Sequence, residues 1–296
     1  MNDSGTSVLR KKSALKIYLE MIKIEHSVFA LPFAMIGMLY AANGFPGWKV
    51  FLLITVAMVS ARSAAMAFNR IVDRHIDAKN PRTSNRAIPT GILRLDHTLL
   101  FLLISVIVFF VSAGMLNTLA LILSPVALFV ITIYSYTKRW TWLCHIILGF
   151  SLGIAPVGAW IGVTGTFDMI PLWWTGAVMF WTAGFDILYS LQDVDFDRAN
   201  NLKSIPERFG ISNAILISRL FHFITLCCLV AAGVAVSAGM LYFIGCFIVA
   251  CLLLYEQSLV KPNDLSKLDV AFFTMNGFVS IGLFCFVLLD IILNQT

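Results

Sequence analysis

The sequence predicts an all-α integral membrane protein with nine transmembrane helices. Three observations lead there. The 296 residues are 59% hydrophobic and only 12% charged, whereas a soluble domain carries roughly 25% charged residues. The apolar residues gather into stretches long enough to cross a bilayer. Finally, Lys and Arg fall on alternate connections between those stretches.

A bilayer core takes about 20 apolar residues in a helix. Helix is required there because backbone polar groups facing lipid must be satisfied within the segment. Candidate spans lie at 24–43, 49–68, 97–114, 118–137, 141–162, 171–191, 212–234, 238–256 and 271–293. Spans three and four are separated only by "GMLNT", and seven and eight only by "VSAG". Both connections must be very short turns.

Basic residues fix the orientation. Arg10, Lys11, Lys12, Lys16 and Lys23 precede span one, and Arg70, Arg74, Lys79, Arg82, Arg86 and Arg94 follow span two. Lys138 and Arg139 follow span four, Arg198, Lys203 and Arg208 follow span six, and Lys261 and Lys267 follow span eight. With nine alternating spans, all of these share one side, and the other side receives Lys49. The positive-inside rule puts the N-terminus and the charged loops in the cytoplasm. The net charge of +5 is therefore a topology signal rather than a nucleic-acid one. Arg219 is expected to snorkel to the membrane surface.

"MNDSGTSVLRKKSALKIYLEMIK" has no early apolar core with a cleavage site, so no signal peptide is expected. Residues 1–23 read as a cytoplasmic N-terminal segment and 24–296 as one transmembrane domain. The six cysteines lie in apolar stretches without CxxC pairing and read as packing residues.

Chemistry concentrates at two helix ends. Asn69, Asp73 and Asp77 are spaced i, i+4, i+8, one oxygen-bearing face if the helix of span two continues. Acidic residues at a helix C-terminus oppose the macrodipole, so positive partners are expected beside them. Arg62 lies two turns deeper on that face. Tyr189, Asp193 and Asp197 repeat the spacing at the end of span six, with Asp186 two turns deeper than Asp193. Each cluster alone is compatible with solvated helix ends. Two matched clusters flanked by Arg and Lys suit Mg²⁺ ions bridging a diphosphate, because hard cations take carboxylate oxygens together with substrate phosphates. The fitting reaction is ionisation of an allylic diphosphate, with the apolar chain drawn from the membrane. Phe68, Tyr134, Tyr136 and Trp181 are candidates to shield a cation, or simple packing. His26, His75, His97, His145 and Cys144 are too scattered to read as a zinc site, and no Walker-type glycine loop is present.

The run from Asn69 through "NPRTSNRAIPTG" closely resembles the first signature of the UbiA family of intramembrane aromatic prenyltransferases, and "DILYSLQDVDFDRANNLKSIPERFG" resembles the second. "YSYTKRWTWL" and "LGFSLGIAPVGAWIGVTG" are similar to further family segments. The resemblance implies a nine-helix bundle around a central cavity under a cytoplasmic cap, in the inner membrane of a bacterium. It implies Mg²⁺-dependent transfer from a polyprenyl diphosphate to an aromatic hydroxy acid of the 4-hydroxybenzoate type, in ubiquinone or menaquinone biosynthesis. By motif position Asn69, Asp73, Asp193 and Asp197 would organise Mg²⁺ and diphosphate, with Asp77 as a further acid. Arg62, Lys138, Arg139 and Lys203 would contact diphosphate or acceptor, and Asp186 and Tyr189 would lie near the reacting carbons. Asn69-Arg70, where the 4-hydroxybenzoate branch often has Asn-Asp, keeps a dihydroxynaphthoate acceptor of the futalosine menaquinone route open. Secondary transport is a distant alternative, since intramembrane charges also mark transporters.

Overall fold

The computed structural model describes residues 13–23 and 27–294; residues 1–12, with Arg10, Lys11 and Lys12, and residues 24–26, with His26, lie outside the described residues. The described chain is helical and carries no strand, only an isolated bridge between Lys261 and Asp264. A short helix α1 (Ala14–Met21) comes first. It is followed by α2 (Ser27–Ala41), α3 (Trp48–Lys79), α4 (Leu95–Leu116), α5 (Thr118–Trp140), α6 (Cys144–Thr164) and α7 (Pro171–Ser190). A 3₁₀ turn (Leu191–Asp193) leads into the short helices α8 (Val194–Ala199) and α9 (Ile205–Phe209). Then come α10 (Ile211–Ala235), α11 (Met240–Leu259), a π-helical turn (Val270–Met275) and α12 (Asn276–Asn294).

Among the described residues, each expected span lies largely on a helix. Among the described residues, seven helices are long and apolar enough to cross a membrane. The other two are α2, with 15 described residues, and α7, with 20 residues. Helix α7 is rich in Trp, Thr and Gly and carries Asp186. It can be less apolar because it is enclosed: Trp174, Ala177, Val178 and Trp181 are fully buried. By contrast α4 and α5 turn Leu100, Leu103, Ile107, Ile122 and Phe129 outward, each more than half exposed. That much exposed apolar surface suits lipid rather than water.

Close approach of helices sets the centre of the bundle. A Cβ at Gly149 of α6 would run into the carbonyl of Met179 on α7, and one at Gly153 would meet the Thr175 carbonyl at 2.7 Å. Small residues thus let α6 and α7 pack backbone to backbone, as membrane helices do. The expected short turns are present. Asn117 alone joins α4 to α5: its Oδ1 accepts from Ala120 N at 2.8 Å while its Nδ2 donates to Ile161 O at 2.8 Å. Arg219 is exposed on α10, as snorkelling requires, and all six cysteines are free.

Candidate active site

The site begins with the length of α3. Its 32 residues run on past the apolar stretch to Lys79, so Asn69, Asp73 and Asp77 do share one face. The expected positive partners are there. Buried Asp73 accepts from Lys138 Nζ at 2.6 Å and Arg139 Nη2 at 2.8 Å, and from Asn69 Nδ2 at 3.1 Å. Buried Asp77 accepts Arg86 Nη1 at 2.7 Å on both oxygens, with Arg70 at 4.0 Å. Lys138 and Arg139 come from the last turn of α5, where cations are also favourable with that helix's dipole.

The second cluster is built differently. Tyr189, Asp193 and Asp197 do not lie on one continuous helix, as their spacing suggested. Helix α7 stops at Ser190, the 3₁₀ turn carries Asp193, and Asp197 sits on α8. Tightening at Leu191–Asp193 offsets the register, yet all three still face the cavity. Arg82 binds Asp193 through Nε at 3.1 Å and through Nη2, donates from Nη1 to Tyr189 OH at 3.0 Å, and lies 5.0 Å from that ring's centroid. Asn80 Nδ2 donates to Asp193 Oδ1 at 3.0 Å. The loop after the first motif therefore clasps the second. Burial pushes the Asp197 carboxyl up to about 6; the Ser204 hydroxyl and the charge of Lys138 oppose the rise, and Asp193 adds to it.

The two motifs face each other across a polar cavity of about 250 Å³. Asn69, Asp73 and Asp77 line one wall, and Asp186, Tyr189, Asp193 and Asp197 the other, with Lys138 and Lys203 also at the surface. Lys203 is held there by Nζ donating to Trp140 O at 2.9 Å and by its own N–H on Lys138 O at 2.7 Å. Arg139 reaches Asp73 without lining the cavity. Arg62 lies instead on a neighbouring apolar cavity of about 170 Å³ walled by α2 to α6, including Ile54, Met58, Leu116 and Ile131. Of the four suggested aromatics, Tyr134 lines the polar cavity; Trp181 is core, and Phe68 packs edge-on to Tyr136 at 6.0 Å.

Four contributors escaped the sequence reading of the site. Arg82, Arg86 and Asn80 lie inside the "NPRTSNRAIPTG" neighbourhood and were visible only as loop charges and a polar residue. His145 gave no signal, because its partner Asp186 is 41 residues away: Nδ1 sits 2.7 Å from Asp186 Oδ2. Among the described residues no three His, Cys, Asp or Glu side chains converge on one point closely enough to enclose an ion. The donors are nonetheless hard oxygens in two facing sets, which fits a cation that needs one or two carboxylates and completes its shell with phosphate and water.

Known proteins agree with this architecture. The 4-hydroxybenzoate octaprenyltransferase of Shewanella pealeana is 27% identical over 282 residues, covering 94% of this chain and 97% of that one. The apo structure of a UbiA homolog from Aeropyrum pernix superposes with a TM-score of 0.82 at 31% identity, covering 92% of this chain and 99% of that one. A UbiA homolog from Archaeoglobus fulgidus, bound to DMAPP and Mg²⁺, shares the fold with a TM-score of 0.69 at 18% identity, over 93% of this chain and 98% of that one. The UbiA prenyltransferase family model matches residues 30–278, and the chain belongs to that family of prenyltransferases.

Proposed function

We propose that this chain transfers a polyprenyl group from a polyprenyl diphosphate to an aromatic hydroxy acid of the 4-hydroxybenzoate type, with Mg²⁺, in ubiquinone or menaquinone biosynthesis. The observation that carries the reading is the pair of acidic motifs facing one polar cavity beside an apolar one. The name of the Shewanella relative supports the acceptor class. A diphosphate suits the polar cavity and an isoprenoid tail the apolar one, with Arg62 on the wall of the apolar cavity.

Asn69, Asp73, Asp193 and Asp197 would hold the metal, with Asp77 supporting them. When bound, Mg²⁺ neutralises charge developing on the diphosphate as the allylic C–O bond breaks. Lys138 and Lys203 offer N–H donors to phosphate oxygens at the cavity wall, Arg139 would join them by turning from Asp73, and Arg82 offers a fork that now engages Asp193. Carboxylates already paired with cations can exchange those partners for metal and phosphate without leaving a bare charge. Tyr189 presents its ring at the cavity wall beside Asp186, whose carboxylate is placed to accept a hydrogen bond from the acceptor hydroxyl.

In the same reading the chain spans the inner membrane of a bacterium nine times around this cavity. The 70–96, 192–211 and 257–270 loops cap it from the cytoplasm, and residues 1–23 precede the domain as a cytoplasmic segment. Cysteine introduced at Asn80 or Asn201 and labelled efficiently from outside intact cells would reverse that orientation.

Arg70 in place of the acidic residue common beside Asn69 favours a second reading, a dihydroxynaphthoate acceptor, because it adds a buried cation next to Asp77. One assay tests both. Purified protein in membranes is given each acceptor with several prenyl diphosphates and Mg²⁺, and products are identified by mass. Prenylated 4-hydroxybenzoate supports the first reading, prenylated naphthoate the second. Counter-flow in vesicles with no prenylated product would instead mean transport.

A further inference from the structure

Asp186 is not paired with a basic side chain from the acidic motifs. Its partner is a histidine at the start of α6. His145 Nδ1 lies 2.7 Å from Asp186 Oδ2, and the backbone N–H of Ile205 donates to His145 Nε2 at 3.3 Å. A peptide N–H can only donate, so Nε2 carries the lone pair and the ring proton belongs on Nδ1. The ring is therefore an N–H donor to the carboxylate. It is rigid as well: His145 is 3% exposed, and the segment that supplies Ile205 is itself fixed by Lys203 N on Lys138 O at 2.7 Å. The Asp186 side chain, at 24% exposed, opens onto the polar cavity. Its Oδ1 takes no hydrogen bond from the described residues.

We propose that His145 is a positioning residue for Asp186, committing one carboxylate oxygen and presenting the other to the hydroxyl of the aromatic acceptor. This rests on the reading of Asp186 given above. Three features of the contact support a positioning role. The histidine touches the carboxylate and not the cavity's phosphate-facing cations. Its second nitrogen is used up by backbone, which fixes tautomer and ring plane together, as a partner behind a working group must. And the backbone it grips lies eight residues after Asp197, where the loop from the second acidic motif enters α9, so that loop and the acceptor-facing carboxylate share one anchor.

Two substitutions separate positioning from simple anchoring. In His145→Asn the amide nitrogen takes the place of Nδ1 and still donates to Asp186, but nothing reaches Ile205. In His145→Gln the longer amide reaches Ile205 and abandons Asp186. Both are measured for turnover against acceptor concentration, and for binding of a non-ionisable prenyl diphosphate analogue with Mg²⁺. Retention of acceptor kcat/KM within about threefold by Asn is expected, with a loss of about 30-fold in Gln, the worth of one hydrogen bond to a charged group. Analogue binding should be unchanged in both. Equal losses in the two variants, or retention by Gln and loss in Asn, overturns the proposal and leaves His145 as a loop anchor. Asp186→Asn is run alongside. Full turnover in that variant would sink the reading of Asp186 itself, whereas its loss together with equal histidine variants would sink the positioning role alone.

Discussion

The two acidic motifs share a spacing and differ in how the chain holds them. Asn69, Asp73 and Asp77 ride an unbroken helix, and each carboxylate is buried with a cation against it. Tyr189, Asp193 and Asp197 straddle a helix end, a 3₁₀ turn and a short helix. There Asp193 has Arg82, while the Asp197 carboxyl is pushed up to about 6 chiefly by burial. The first motif is thus a preformed, neutralised wall. The second is assembled from a helix end, a 3₁₀ turn and a short helix, and is tied to the first by Arg82 and Asn80. On the proposed function, a site that receives a multiply charged ligand would gain from this division: one side would fix position, and the other would keep a carboxylate oxygen for the metal.

The largest effect that would break this comparison is loss of either wall. Asp73→Ala or Asp193→Ala should lower turnover by at least ~100-fold, a few kcal/mol of transition-state stabilisation, while the protein stays inserted. Near-normal turnover in both would remove the two-wall account. Next comes the clasp. Arg82→Ala frees Asp193 and Tyr189 together, and a loss of about 30-fold in kcat/KM is expected from one charged hydrogen-bond pair. If Arg86→Ala costs more than Arg82→Ala, the first motif and not the clasp is the sensitive element.

The titration of Asp197 sharpens the contrast further. Above pH 6 its carboxylate is available as an oxygen donor, and as pH falls through about 6 it takes a proton. Mg²⁺-supported binding of a non-ionisable analogue should weaken below that pH in the wild type and lose this dependence in Asp197→Asn. In ligand-free protein the sign reverses for stability. A carboxyl raised in the fold favours the folded state as pH falls from about 6 toward the unfolded value of ~4. The smallest effect expected is Asn80→Ala, about 1 kcal/mol of thermal stability for one hydrogen bond between the motifs, read as a modest drop in Tm.

Much of this was legible in the chain. Apolar runs located the helices, and "GMLNT" foretold a connection that proves to be the single residue Asn117. The i, i+4, i+8 column placed the first motif correctly because α3 continues without a break. The same spacing misled for the second, because nothing in "LYSLQDVDFD" announces that Leu191–Asp193 tightens into a 3₁₀ turn. Cations do stand against Asp73 and Asp77, as acids at a helix C-terminus require, but sequence distance hid which ones: Lys138 is 65 residues away and Arg86 nine. Arg62 shares a helical face with Asn69 yet ends at the apolar cavity, since two turns of rise carry it away from the polar one. His145 was out of reach altogether, because its pairing depends on the close approach of α6 and α7 that Gly149 and Gly153 allow.

The central claim is that the two motifs act on one ligand. The direct measurement is a calorimetric titration of a non-ionisable prenyl diphosphate analogue, with Mg²⁺, into wild type, Asp73→Ala, Asp193→Ala and the double variant. If both walls grip the same diphosphate, each single variant should lose most of the binding, by ~100-fold or more, and the double should lose little beyond either, since interacting sites are not additive. Intact binding in either single variant would mean the motifs serve separate ligands and would contradict the account.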